Sequence, residues 1–209
     1  MTGGGAAPYR WSRAARSAFL ASAGMVAVLH ALRSDLDPVR RRLSEYAVGQ
    51  SGWLMTAAFV VFGLGLCALS RGVRSAGATA PSMRLLEALL GIAGVGMIVS
   101  GAFETQVGPS AVEWQEVVHS QASALAFMAL IAAALLSATA ARDVLAWGAA
   151  RGPADVITAL ATVSAAISPV THDGPWAGLV QRLSYAAVLC WLLLAAGATA
   201  RARSTAASR

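Results

Sequence analysis

The sequence predicts an all-α fold, a polytopic membrane helix bundle with six transmembrane helices and both termini in the cytoplasm. Three observations carry that expectation. Of the 209 residues, 57% are hydrophobic and only 12% charged, whereas soluble domains carry about 25% charged residues. The apolar residues gather into six runs separated by polar stretches. The 16 strongly basic side chains are all arginines, and they flank those runs without interrupting them. A basic soluble protein would suggest nucleic acid. Arginines at the ends of apolar runs point instead to membrane lipids as partners, through anionic headgroups and topology.

Crossing a bilayer takes roughly 20 apolar residues, with about 17 as the lower limit. Residues 1–13 read as a cytoplasmic tail, and the first span covers 14–32. Nothing near residue 32 resembles a small-residue cleavage site, so this run reads as an uncleaved helix and not a signal peptide. The following spans are expected at 53–70, 85–103, 119–141, 154–170 and 179–200, with 201–209 as a second cytoplasmic tail. The fifth is the weakest, being short and carrying Thr158, Thr162, Ser164 and Ser168. Such hydroxyls are tolerated in a span because they can bond to their own backbone or to a neighbouring helix, so six spans are expected, with five as the alternative.

Small residues supply the expected means of packing. Gly96 and Ser100 form one small-xxx-small pair and Ala122 and Ala126 another, letting backbones approach where lipid supplies no hydrophobic drive. Gly91, Gly94 and Gly96 superficially imitate a dinucleotide fingerprint, but no strand precedes them, so packing is preferred. Cys67 and Cys190 lie inside apolar runs and read as buried thiols, not a disulfide.

An even number of spans puts both termini on one side. With that side cytoplasmic, eleven arginines fall inside and five (Arg33, Arg40, Arg41, Arg42 and Arg182) outside, as the positive-inside rule prefers. The span centres hold no Asp, Glu, Arg or His, which argues against a proton- or ion-coupled transporter. The ionisable groups collect instead at the outer helix ends, where His30, His119 and His172 join Asp35, Asp37, Glu45, Glu104, Glu113, Glu116, Asp173 and Arg182.

Three stretches at that face have recognisable chemistry. In "EWQEVVH", Glu113, Glu116 and His119 recur at i+3 along one helix stripe. They can complement the positive start of the fourth span, hold a metal as Glu-x-x-His, or act in acid–base or ligand chemistry. A single Glu-x-x-His is a weak metal signal, and no metal or cofactor is expected. "THDGPW" reads as a turn in which His172 and Asp173 bond locally or face a shared cavity. In "QRLSY", Gln181 and Arg182 open the sixth span, and Arg182 either snorkels to phosphates or pairs with a carboxylate, pairing being preferred. The first loop, "DPVRRRLSEYAVGQSGW", predicts a short interfacial helix capped by Asp37 with Pro38 at its first position. Arg41 and Arg42 can each reach Glu45 from i+4 and i+3 spacing.

Ser44-Glu45 with Gly49 after the first span, a glycine-rich third span ending in "SGAFE", His119 opening the fourth and "QRLSY" opening the sixth form a pattern. That pattern resembles the bacterial membrane-protein family catalogued as domain of unknown function 998. The resemblance covers most of residues 15 to 200 and implies a six-helix integral membrane protein with no assigned activity. It carries over Ser44, Glu45, Glu104, His119, Gln181 and Arg182 as a candidate site, and it leaves out the triple arginine and "EWQE".

The expected function is therefore a multi-pass protein of the bacterial inner membrane that binds a lipid-like or hydrophobic ligand at the outer helix ends. His30, Ser44, Tyr46, His172, Gln181 and Arg182 are the candidate binding residues. The alternative is an intramembrane enzyme working on an isoprenoid or lipid as a cyclase, isomerase or hydrolase. Its acid–base candidates are Glu45, Glu104, Glu116, His119 and Asp173, since a carboxyl in an apolar pocket has a raised pKa and can protonate an alkene or leaving group.

Overall fold

In a computed structural model the described residues are 6–76, 80–103, 105, 112–139, 147–171 and 174–201. They form six α-helices: α1 (Ala6–Leu32), α2 (Gly52–Ser75), α3 (Pro81–Ala102), α4 (Glu113–Ala138), α5 (Arg151–Thr171) and α6 (Ala177–Arg201). Short 3-10 turns at Leu43–Ala47 and Gly148–Ala150 precede α2 and α5. Most helices begin several residues before the apolar run that predicts them. The run marks what can face lipid, whereas helix length follows from backbone bonding and caps. In α4 the first turn carries Glu113 and Glu116, whose charge suits the positive helix start.

Five helices, α1, α2, α3, α4 and α6, are long and apolar enough to cross a membrane. The remaining helix, α5, has 21 residues and the hydroxyls that weaken its apolar signal. Two of those hydroxyls turn back on their own helix. Thr162 Oγ1 donates to Thr158 O at 2.8 Å and Ser164 Oγ to Ala161 O at 3.1 Å. Val156, Leu160, Val163 and Ile167 make a continuous exposed apolar stripe along the outside of α5.

Side-chain pairs show which helix ends lie together. At one end, the end of α1 meets the start of α6 through Arg182 and His30, and the end of α3 meets the start of α4 through His119 and the Ser100 carbonyl. At the opposite end, Ser70 of α2 bonds to Glu87 O of α3, and Trp191 of α6 bonds to Ser137 near the end of α4. Because α4 finishes at this opposite end and α6 starts at the first, α5 carries the chain back along the length of the bundle. The first end, where residues 33–51 form loop 1, also holds Trp53, Trp114 and Trp176 at the starts of α2, α4 and α6. They are 70%, 56% and 58% exposed.

Phe19, Phe62, Leu66, Leu90, Leu130, Trp191 and Leu192 fill the main core. Many large apolar side chains face outward, among them Leu64, Val95, Met128, Leu160 and Leu183, as on a surface whose solvent is lipid. The small residues meet as their spacing predicts. A Cβ on Gly96 would lie 2.9 Å from both Ala122 O and Ala126 Cβ, so the two small-xxx-small pairs are the α3–α4 contact. The α2–α3 contact is equally close, with a Cβ on Gly63 falling 2.6 Å from Gly94 O. Both thiols are free, but neither is the fully buried thiol expected: Cys67 is half-buried, and Cys190 is exposed on the outward face of α6. It sits among lipid-facing side chains, which apolar composition alone does not separate from core.

Loop 1 does not form the expected α-helix. Asp37 does cap a turn, its Oδ1 accepting from Val39 N at 2.8 Å. One turn later the bonding shifts to a 3-10 pattern, with Glu45 N donating to Arg42 O at 3.2 Å. An α-helix would give Glu45 N the Arg41 carbonyl. That carbonyl is taken instead by Arg182, so a tertiary bond replaces the local one.

Candidate functional site

At the loop-1 end, α1, loop 1 and the start of α6 converge on Arg182. Its Nε donates to His30 Nε2 at 2.8 Å, and its Nη1 donates to Arg41 O at 2.7 Å and Gly178 O at 3.0 Å. The guanidinium also lies over the Tyr46 ring, 5.2 Å from its centroid, a favourable cation–π placement. His30 is oriented from the other side. Its Nδ1 sits 2.7 Å from Val26 O, and since a carbonyl only accepts, Nδ1 carries the hydrogen. The Nε2 lone pair is thereby left to accept from Arg182. The His30 and Tyr46 rings pack with centroids 5.0 Å apart, and Tyr46, only 1% exposed, donates its hydroxyl to Leu36 O at 3.2 Å.

Loop 1 is strapped to α6 through its backbone. Leu179 N donates to Val39 O at 2.9 Å, which satisfies one of the free donors of the helix start. Gln181 Oε1 accepts from Leu43 N at 2.6 Å. Gly178 makes the approach feasible, because a Cβ there would run into Arg41 O and lie 2.6 Å from Pro38 O. Neighbouring Ser44 is buried. The far side of the loop is pinned by Arg33, whose Nη1 donates to Val48 O at 2.6 Å while the guanidinium grips Asp35 at 2.9 and 3.0 Å. That carboxylate raises the Arg33 pKa through its hydrogen bond, and Arg33 lowers the Asp35 pKa in return. Gly49 then turns the chain into α2 with φ of +88°, a conformation that favours glycine.

Glu45 does reach both predicted partners. Arg41 Nη1 and Arg42 Nε each lie 3.2 Å from its carboxylate, and Arg42 N donates to it at 3.1 Å. Burial alone would push this carboxyl up, but the Arg42 amide and the two guanidiniums outweigh it and hold the pKa below the ordinary value. Arg182, in contrast, does not pair with a carboxylate among the described residues. Loop 1 brings the Arg41 carbonyl to the guanidinium and keeps its acids for its own arginines.

A second cluster joins α3 to α4. His119, only 4% exposed, shares its Nδ1 hydrogen between Ser100 O at 2.9 Å and Phe103 O at 2.8 Å. It thus caps carbonyls that the end of α3 leaves free. Ser100 Oγ sits 2.9 Å from Ser123 Oγ and donates to Gly96 O. Phe59 of α2 packs its ring 5.8 Å from His119 and reaches the cluster around Tyr46. Glu116 accepts from Ser120 Oγ at 3.0 Å on a more exposed part of the same helix. The sequence candidates therefore divide: His30, Ser44, Glu45, Tyr46, Gln181 and Arg182 lie together, while Glu116 and His119 belong to the α3–α4 junction. Glu104, His172 and Asp173 lie outside the described residues.

Gly178 and Arg33, which hold loop 1 in place, are not among the sequence candidates. The one is signalled by a glycine four residues before an arginine at a helix start, the other by an arginine two residues before an aspartate. Nothing in the spacing foretells the Ser100–Ser123 pair. Among the described residues no group of three or more His, Cys, Asp or Glu side chains is placed to hold a metal ion. A cavity lined by Leu69, Leu86, Ser137, Trp191 and Thr199 lies at the opposite end and holds about 10 Å³, room for about one water. A family model described as a protein of unknown function (DUF998) matches residues 16–198. No curated protein and no solved structure matches the chain.

Proposed function

Because the chain belongs to the DUF998 family, whose description assigns no activity, we propose a function from its own residues. It is a six-span protein of the bacterial inner membrane, with both termini cytoplasmic, that binds a lipid-like molecule at the outer helix ends. The sixth crossing is α5, because the chain must return along the bundle between α4 and α6, and α5 carries its own lipid-facing stripe. The bias of eleven inner to five outer arginines supports the cytoplasmic termini. Tryptophans at the starts of α2, α4 and α6 suit the aromatic belt of the outer interface.

The observation that carries the binding reading is the convergence of α1, loop 1 and α6 on Arg182 at the level of that belt. His30, Ser44, Tyr46, Gln181 and Arg182 would form the rim that meets the ligand. The chemistry of Glu45 weighs against the enzymatic alternative. An acid catalyst needs its carboxyl protonated near neutral pH, whereas Arg41 and Arg42 favour the carboxylate. Mass spectrometry of lipids retained by the purified full chain tests the reading. One lipid class should be enriched over its share of the bulk membrane. A retained profile matching the bulk membrane would end the proposal.

A further inference from the structure

We propose that Arg182 is the receptor for a phosphate-type oxyanion, taken up between the end of α1 and the start of α6 when the Arg41 segment of loop 1 lifts. This rests on the binding reading above and adds to it the chemical class of the headgroup. The guanidinium has five N–H donors. Three of them go to His30 Nε2, Arg41 O and Gly178 O, all neutral acceptors. Nη2 is buried and has no hydrogen-bond partner among the described residues. Unmet donors on a buried nitrogen are costly, and among the described residues no carboxylate pairs with this half-buried guanidinium.

The nearby carboxylates are engaged elsewhere. Asp37 lies 3.6 Å from Arg40, and Glu45 is held by Arg41 and Arg42. Among the described residues of α1, loop 1 and the start of α6, the five arginines Arg33, Arg40, Arg41, Arg42 and Arg182 stand beside three carboxylates, Asp35, Asp37 and Glu45. An oxyanion supplies what is missing, because a phosphate can accept two parallel N–H bonds from one guanidinium.

The present arrangement corresponds to a closed site. Arg41 O occupies a donor that an oxyanion would use. The segment that carries it is tied to α6 by Leu179 N to Val39 O, Leu43 N to Gln181 Oε1 and the Arg182 bond itself. Leu43, Tyr46 and Ala47 stay packed against α1 and α2 and anchor the rest of the loop. His30 and Gly178 O would keep the guanidinium aimed after the Arg41 segment departs. The oxyanion is either the headgroup of a phospholipid, whose chains would lie along the outside of α1 and α6, or free phosphate.

The test uses the full wild-type chain in detergent, read by native mass spectrometry and thermal shift with three probes. These are phosphatidylglycerol, diacylglycerol of the same acyl chains, and inorganic phosphate. Phosphatidylglycerol should be retained roughly tenfold or more over diacylglycerol, the scale of one charge-assisted hydrogen-bond pair. Arg182→Gln should abolish that preference, and Arg182→Lys should restore only part of it. If phosphate alone stabilises the wild type and competes the lipid away equally from both arms, the oxyanion is soluble phosphate and the Arg182 assignment stands. Equal retention of the two lipids, with no effect of phosphate, overturns the oxyanion but leaves a lipid-like ligand. Retention of neither lipid, with no enrichment from the membrane, removes the binding reading itself. The wild-type arms need no variant to fold.

Discussion

Arg182 and Glu45 sit a few residues apart in space and behave oppositely, because each is surrounded by what the other lacks. Glu45 has two guanidiniums and an amide; Arg182 has carbonyls, an imidazole and a ring. The Arg41 and Arg42 contacts to Glu45 were legible from i+4 and i+3 spacing, since local geometry fixes them. The tertiary partners of Arg182 were not, because they arrive from residues 141 and 152 positions away. The same distance hid the work of His119: its position at the start of α4 was readable, but the α3 carbonyls that it caps were not. For Glu45 the consequence is a dependence of stability on pH. A carboxylate whose folded pKa lies below its ordinary value of 4.5 contributes stability above that value and loses it as pH falls through the lower folded pKa. Thermal unfolding in detergent should therefore show wild type above Glu45→Gln at pH 7 by on the order of 1 kcal/mol. The two should converge as the pH drops below 4.5. Parallel curves across that range would contradict the role given to this carboxylate.

Among the elements, loop 1 depends most on tertiary context. Its composition favours a capped helix, and its first turn begins as one, yet α6 withdraws the Arg41 carbonyl that the helix would need. Gly178 is the point where α6 admits the loop. Gly178→Ala should cost about 1–3 kcal/mol, as overpacking of a close contact does. It should also speed amide exchange of Val39, Leu43 and Leu179 without loosening the α3–α4 junction around Gly96. Unchanged exchange at these amides would mean that loop 1 is held by something other than α6. The α3–α4 contact itself was readable in advance, since small-xxx-small spacing places the close approach on a known face of each helix. The α5 signal was weak for a readable reason too. Hydropathy registers Thr158, Thr162 and Ser164 as polar, whereas Thr162 and Ser164 bond to carbonyls of their own helix.

For the molecule as a whole, composition and arginine placement made the all-α membrane class legible, because the bilayer limits spanning structures so strongly. The convergence of α1, loop 1 and α6 was legible only as a list of polar residues at one face. The division of that list into two clusters came from helix order and from contacts with distant partners. The account depends on one topological statement, that α5 crosses the membrane and brings Trp176 and the start of α6 to the outer side with loop 1. Two single-cysteine variants, Ala150→Cys and Pro175→Cys, in a background lacking Cys67 and Cys190, test it with a membrane-impermeant maleimide on intact spheroplasts. The account predicts that the cysteine at position 175 is labelled from outside, while the one at position 150 reacts only after permeabilisation. Labelling of both from the same side would contradict the six-span bundle and, with it, the outer binding rim.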